Sequence, residues 1–152
     1  MLITDALLGE HGVFHLLLHH IGQALPTLDS TPALQHELVA FAFALESHAR
    51  LEDELLFTAL EPHLGTQSGP LAVMRLEHGQ LTELLGRIDS AAGLEQGCAL
   101  AAQVIEVCRD HFQKEEQVLF RMARQFLDEE SLSALGAKWS ARRGSLITLE
   151  MP

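Results

Sequence analysis

Two stretches of this 152-residue chain share one pattern: His48-Ala-Arg-Leu-Glu52-Asp-Glu-Leu-Leu-Phe57 and His111-Phe-Gln-Lys-Glu115-Glu-Gln-Val-Leu-Phe120. Both read His-x3-Glu-acidic-x-aliphatic-Leu-Phe. A spacing of four residues puts His and Glu one turn apart on the same face of an α-helix. The flanking apolar residues step by threes and fours. One stripe runs Phe41, Leu45, His48, Glu52, Leu55, Ala59; the other runs Val104, Cys108, His111, Glu115, Val118, Met122. An imidazole and a carboxylate therefore sit inside each helical face that ought to be buried.

Working outward, two more stripes complete the set: Leu7, His11, Phe14, Leu18, Ile21, Leu25, and Leu71, Met74, His78, Leu81, Leu85, Ile88. Their histidines sit in matching contexts, Glu10-His11-Gly-Val-Phe and Glu77-His78-Gly-Gln-Leu. Each half of the chain is thus a helical hairpin carrying a lone His and then His-x3-Glu, as in a duplication. Breakers separate the segments: Pro26, Asp29-Ser-Thr-Pro32, Pro62 with Gly65, Ser68-Gly-Pro70, and Ala91-Ala-Gly93. Between them Leu, Ala, Glu and Gln dominate, which favours helix. The expected fold class is all-α, an antiparallel up-down-up-down four-helix bundle. One domain is expected, with the bundle over about residues 2–127 and the remainder over 128–152. A short fifth helix is expected from about Asp128 to Arg142, with Asp128 as its cap; Gly144–Pro152 receives no assignment.

Helix arithmetic sets the depth of the polar interruptions. His11 lies 15 residues before Pro26 and His48 lies 16 after Pro32, so both stand roughly 22–24 Å from their shared loop. His78 and His111 stand roughly 21 and 24 Å from theirs by the same count. Four histidines and two glutamates then meet in one layer of an apolar bundle, where each would cost several kcal/mol unless satisfied. Six inward nitrogen and oxygen donors exceed what one zinc site uses, and cysteine is missing from the set. Two metal ions would take His11, His48, His78 and His111 as terminal ligands and Glu52 and Glu115 as bridges. His15, one turn after His11, could add a fifth imidazole. Mixed imidazole and carboxylate ligation points to two iron ions with an oxo or hydroxo bridge, while manganese, zinc or cobalt also suit these ligand types. Asp53, Glu54 and Glu116 leave the buried stripe and read as solvated surface.

Composition narrows the function classes. The chain is 47% hydrophobic and 20% charged, with nine histidines, no tyrosine and a net charge of −11, so it can bury a core. That charge repels phosphate backbones, and the one adjacent basic pair, Arg142-Arg143, makes no cluster; nucleic acid is not an expected partner. No apolar run reaches membrane-spanning length, and the first ten residues lack the pattern of a secretory leader. Cys98 and Cys108 would stand roughly 15 Å apart on one helix, too far for a disulfide. A reduced, cytoplasmic protein is expected.

The set His11, His48-x3-Glu52, His78, His111-x3-Glu115 resembles the hemerythrin-like, or HHE cation-binding, family over about residues 5–125, and within it the four-His, two-Glu subgroup. The resemblance implies a non-haem di-iron centre that binds or responds to dioxygen, nitric oxide or peroxide, or that handles iron. Oxygen-carrying members look different one turn after the third-helix histidine, where this chain has Thr82. Output would pass through a homodimer contact or a separate protein partner. Two other readings compete: a di-iron enzyme that decomposes peroxide or reduces oxygen, and a metal-free helical interaction module. The ferritin-like alternative needs Glu-x-x-His, and no histidine here has Glu three positions before it.

Overall fold

The computed structural model describes residues 1–147, with side chains through residue 144. Helix α1 (Ile3–Ala24) turns through a short 3-10 segment at Pro26 into α2 (Thr31–Leu51). Ser30 starts α2, its Oγ accepting the Ala33 N–H at 3.4 Å, with Pro32 in the first turn, where its missing N–H costs nothing. The α2 rod runs on through a π-helical turn (Glu52–Phe57) into α3 (Thr58–Leu64). Gly65 ends it at φ +74°, a conformation glycine adopts without strain. Helix α4 (Pro70–Asp89) returns, and α5 (Leu94–Lys114) passes through a second π-helical turn (Glu115–Leu119) into α6 (Phe120–Phe126). These four rods form the expected bundle.

The stripes read from the sequence are buried as expected up to each glutamate, and beyond it they slip by one residue. Past Glu52 the buried side chains are Leu56, Phe57 and Leu60, with Leu55 also covered, while Ala59 is only half-buried. Past Glu115 they are Leu119, Phe120 and Ala123, whereas Val118 is exposed and Met122 half-buried. The π-turns cause the slip. Each adds one residue to a turn by replacing i→i+4 hydrogen bonds with i→i+5, as where the Thr58 N–H reaches the Asp53 carbonyl. The inserted residue rotates the rest of the rod, so an ideal 3.6-residue period carried through the glutamate misplaces Ala59, Val118 and Met122, while Leu55 stays covered.

Two apolar clusters fill the bundle. One gathers Phe14, Leu18, Leu34, Phe41 and Val104 toward the loops after α1 and α4. The other gathers Ile3, Leu7, Leu56, Phe57, Leu60, Leu71 and Phe120 at the opposite end. Each fully buried Leu or Phe contributes about 1.5–3 kcal/mol. The layer between the clusters holds the histidines and glutamates.

The fifth helix, α7 (Glu129–Ile147), is longer than expected and continues past Arg142. Asp128 caps it, Oδ1 accepting the Ser131 N–H at 2.8 Å. It lies along α1 and the first π-turn, burying Leu132 and half-burying Leu135 and Trp139 against the second cluster. Gly136 lets it approach closely: a Cβ there would stand 2.1 Å from the Met1 carbonyl oxygen. The unassigned stretch Gly144–Pro152 begins within α7, and residues 148–152 lie outside the described residues.

Candidate metal centre

All six residues singled out from the sequence meet in one layer. Glu52 and Glu115 are fully buried, His11, His48 and His111 are at most 1% exposed, and the His78 side chain is 10% exposed. They form two sets of four, His11–His48–Glu52–Glu115 and Glu52–His78–His111–Glu115, with donor atoms within 4.8 Å of one another. Ligands of a single ion at about 2.1 Å span at most about 4.2 Å across it, so each set needs to contract by no more than about 0.6 Å to form one coordination shell. The carboxylates are shared in a definite sense. Glu52 turns Oε1 toward His48 Nε2 at 3.2 Å and Oε2 toward His78 Nε2 at 3.5 Å. Glu115 turns Oε1 toward His111 Nε2 at 3.2 Å and Oε2 toward His11 Nε2 at 3.3 Å.

The π-turns begin at Glu52 and Glu115, one turn after the His of each block. The wider turn changes the direction of the rod where the carboxylate must face the bundle axis while the following Phe still packs inward. Phe57 stacks on His78, ring centroids 5.6 Å apart at 11°. Phe120, its counterpart in the second block, stands 5.4 Å from His11.

An outer ring of carboxylates faces the other imidazole nitrogen. His48 Nδ1 donates to Glu10 Oε2 at 2.6 Å, His111 Nδ1 to Glu77 Oε2 at 2.8 Å and His11 Nδ1 to Glu116 Oε1 at 2.9 Å. His78 Nδ1 stands 3.5 Å from Asp53 Oδ2, an ion-pair distance too long for a good hydrogen bond. A carboxylate can only accept, so Nδ1 of His11, His48 and His111 carries a proton, and the Nε2 atoms of all four rings point inward. There they face each other, His11 to His48 at 3.2 Å and His78 to His111 at 3.1 Å, and face the shared carboxylates. Among the described residues, both oxygens of Glu52 and both of Glu115 lack a hydrogen-bond partner. Lone pairs and anionic oxygens at such separations repel unless positive charge lies between them. The donor set therefore fits bound metal cations.

The electrostatics agree. Burial alone would depress His48, yet the charge of Glu52, the hydrogen bond of Glu10 and the charge of Glu115 push it up to about 10. His78 is likewise opposed by burial and pushed up to about 9 by Asp53, Glu52 and Glu115. His111 rises too, burial being outweighed by Glu115 and Glu77. Burial would raise the Glu52 carboxyl, but His48 and His78 hold it well below the usual carboxylate range. Each of these directions favours positive charge at the centre, carried by protons or by a metal.

Expectation and structure part at three places. His15 is 45% exposed and reaches Glu116 Oε1 at 3.4 Å, outside both four-residue sets. Glu116 and Asp53, read from the sequence as solvated surface, face His11 and His78; Glu54 is surface, paired with Arg142 at 3.0 Å. The Glu10-His11 and Glu77-His78 echo carried a signal that motif reading passed over, because each of these glutamates orients the histidine of the next helix rather than its own neighbour.

The two halves differ in enclosure. Phe112 packs over His11 at a centroid distance of 4.3 Å and stacks on Phe14 at 5.6 Å. The same template position in the first block is Ala49. It lines a cleft of about 330 Å³ between α2 and α4, walled by Val39, Phe43, Leu81 and Leu85 and ending on His78 and His111.

No curated protein and no solved structure matches the chain. Residues 2–123 match the hemerythrin HHE cation binding domain, a span that takes in all six inward residues, and the chain therefore belongs to that family.

Proposed function

We propose that the protein holds a carboxylate-bridged di-iron centre and binds or responds to a small ligand, dioxygen, nitric oxide or peroxide, there. His11 and His48 would hold one ion, His78 and His111 the other, and Glu52 and Glu115 would bridge them. The single observation that carries this reading is the pair of buried glutamates, each turning its two oxygens toward imidazoles of different sets, with all four oxygens lacking hydrogen-bond partners among the described residues. Nitrogen and oxygen donors without thiolate suit iron, and redox iron supplies the affinity for diatomic and peroxide ligands.

The chain's own residues set the conditions. The outer carboxylates fix the imidazole tautomers and raise their basicity. Phe57, Phe112 and Phe120 exclude water around the first set and beside His78. The apolar cleft at Ala49 gives a small uncharged molecule a way to the His78–His111 side.

Protein loaded anaerobically with Fe(II) and desalted should retain two irons per chain by elemental analysis, and chelation should lower its melting temperature. Simultaneous replacement of His11, His48, His78 and His111 by Ala should abolish retention. Unchanged thermal stability on chelation, or wild-type protein that retains no metal, would overturn the reading in favour of a metal-free helical module.

A further inference from the structure

Residues 2–123 carry the family match, and α7 lies beyond them, yet α7 reaches the centre. Arg143 of α7 is only 19% exposed in its side chain. Its Nε donates to Glu10 Oε1 at 2.6 Å, and an Nη donates to Ser47 Oγ at 2.6 Å. The other oxygen of Glu10 accepts from His48 Nδ1 at 2.6 Å. Both oxygens of one carboxylate are thus committed, one to the guanidinium and one to the imidazole. The opposite half repeats the device with a different cation: Glu77 accepts from His111 Nδ1 at 2.8 Å through Oε2 and from Lys114 through Oε1.

The sources of these cations differ. Lys114 is the last residue of α5, three positions after His111 on the same helix, and is half exposed. Arg143 comes from a separate helix, docked on α1 through Leu132, Leu135, Trp139 and the close approach at Gly136. A guanidinium held at two points fixes a carboxylate more tightly than a flexible ammonium does.

We infer that Arg143 is a positioning residue that completes the His11–His48 half of the centre from outside the family segment, so that docking of α7 sets the affinity of that half alone. Glu10 left without its guanidinium would rotate or take up water, and the His48 ring would lose its fixed orientation; partners of this kind are worth about 10–100-fold in metal affinity. The inference rests on the di-metal reading above.

The test is an anaerobic calorimetric titration of metal-free protein with Fe(II), repeated with Co(II) and read by visible absorption. Wild type should bind two equivalents. Arg143→Ala should bind one equivalent as wild type does and the other about 10–100-fold more weakly, and Arg143→Lys should recover part of the loss. Lys114→Ala should weaken one equivalent less, and combining it with Arg143→Ala should weaken both. Arg142→Ala removes a different contact of α7, with Glu54, and should leave both equivalents unchanged. Two wild-type affinities in Arg143→Ala would overturn the positioning role while leaving the di-metal reading intact. Equal weakening of both equivalents in Arg143→Ala and Arg142→Ala would overturn it in favour of simple loss of the helix. Wild type that binds no metal would overturn both readings.

Discussion

Ala49 and Phe112 occupy the same position of the duplicated block, one residue after His48 and His111, and have opposite effects on access. The Phe112 ring lies 4.3 Å from His11 and seals that side; the methyl of Ala49 leaves a cleft that ends on His78 and His111. A pseudosymmetric centre has thereby one closed face and one open face. Ala49→Phe should fill the cleft without touching a ligand. Metal content should stay at the wild-type value while the stopped-flow rate of nitric oxide binding falls by at least about tenfold, roughly 1.4 kcal/mol of added barrier. An unchanged rate at full metal content would place the entry path elsewhere.

Glu115 and Glu116 are neighbours in sequence with different tasks. Glu115 is fully buried and faces both halves; Glu116 accepts the His11 Nδ1 proton at 2.9 Å. Glu115→Gln should lower retained iron below one per chain, because a shared donor is lost from both halves. Glu116→Gln should still reach two irons per chain at saturation, with affinity about 10–100-fold lower. Elemental analysis after desalting separates the two, and equal iron loss in both variants would refute the division between ligand and orienting residue.

The duplicated blocks made most of this legible in advance. The two His-x3-Glu blocks name four inward residues, and the lone His11 and His78 at matched depth in the other two stripes complete the six, because buried ionisable groups at one level need a common counter-charge. Two features escaped. The π-turns at Glu52 and Glu115 are invisible to a period of 3.6, since the composition of Glu-Asp-Glu-Leu-Leu-Phe also suits an ordinary α-helix. Only the slip from Ala59 to Leu60 and from Val118 to Leu119 exposes the extra residue. The orienting carboxylates escaped for a different reason: Glu10 serves His48, 38 positions away, and Glu77 serves His111 across a hairpin. Local spacing carries no trace of such pairs, and none of Arg143, which belongs to a helix whose docking the sequence left open.

The two thiols provide a test of packing that does not involve metal. Cys108 is fully buried, and burial pushes its thiol up to about 12; Cys98 is half-buried near the α4–α5 loop. The thiolate is the reactive form, so Cys108 should be inert in the folded protein at pH 8. Titration with a chromogenic disulfide reagent should show at most one reactive thiol per chain, assigned to Cys98 by its loss in Cys98→Ser, and two after denaturation. Rapid reaction of both in native buffer would mean that the α5 core opens readily.

Gly136 decides how α7 lies. In place of its hydrogen, a methyl would meet the Met1 carbonyl oxygen at 2.1 Å, with Leu2 C and Ile3 N at 3.2 Å. These are backbone atoms and cannot swing aside as a side chain could. Alanine is the better helix former by about 1 kcal/mol, so propensity alone would predict stabilisation. The clash is the larger effect, since forcing an extra methyl into a closed contact costs typically about 1–3 kcal/mol and would also loosen Leu132 from its cluster. Gly136→Ala should therefore lower the melting temperature by several degrees, and denaturant unfolding should place the loss at about 1–2 kcal/mol net. A stabilised variant would mean that α7 does not approach the N-terminus this closely in solution.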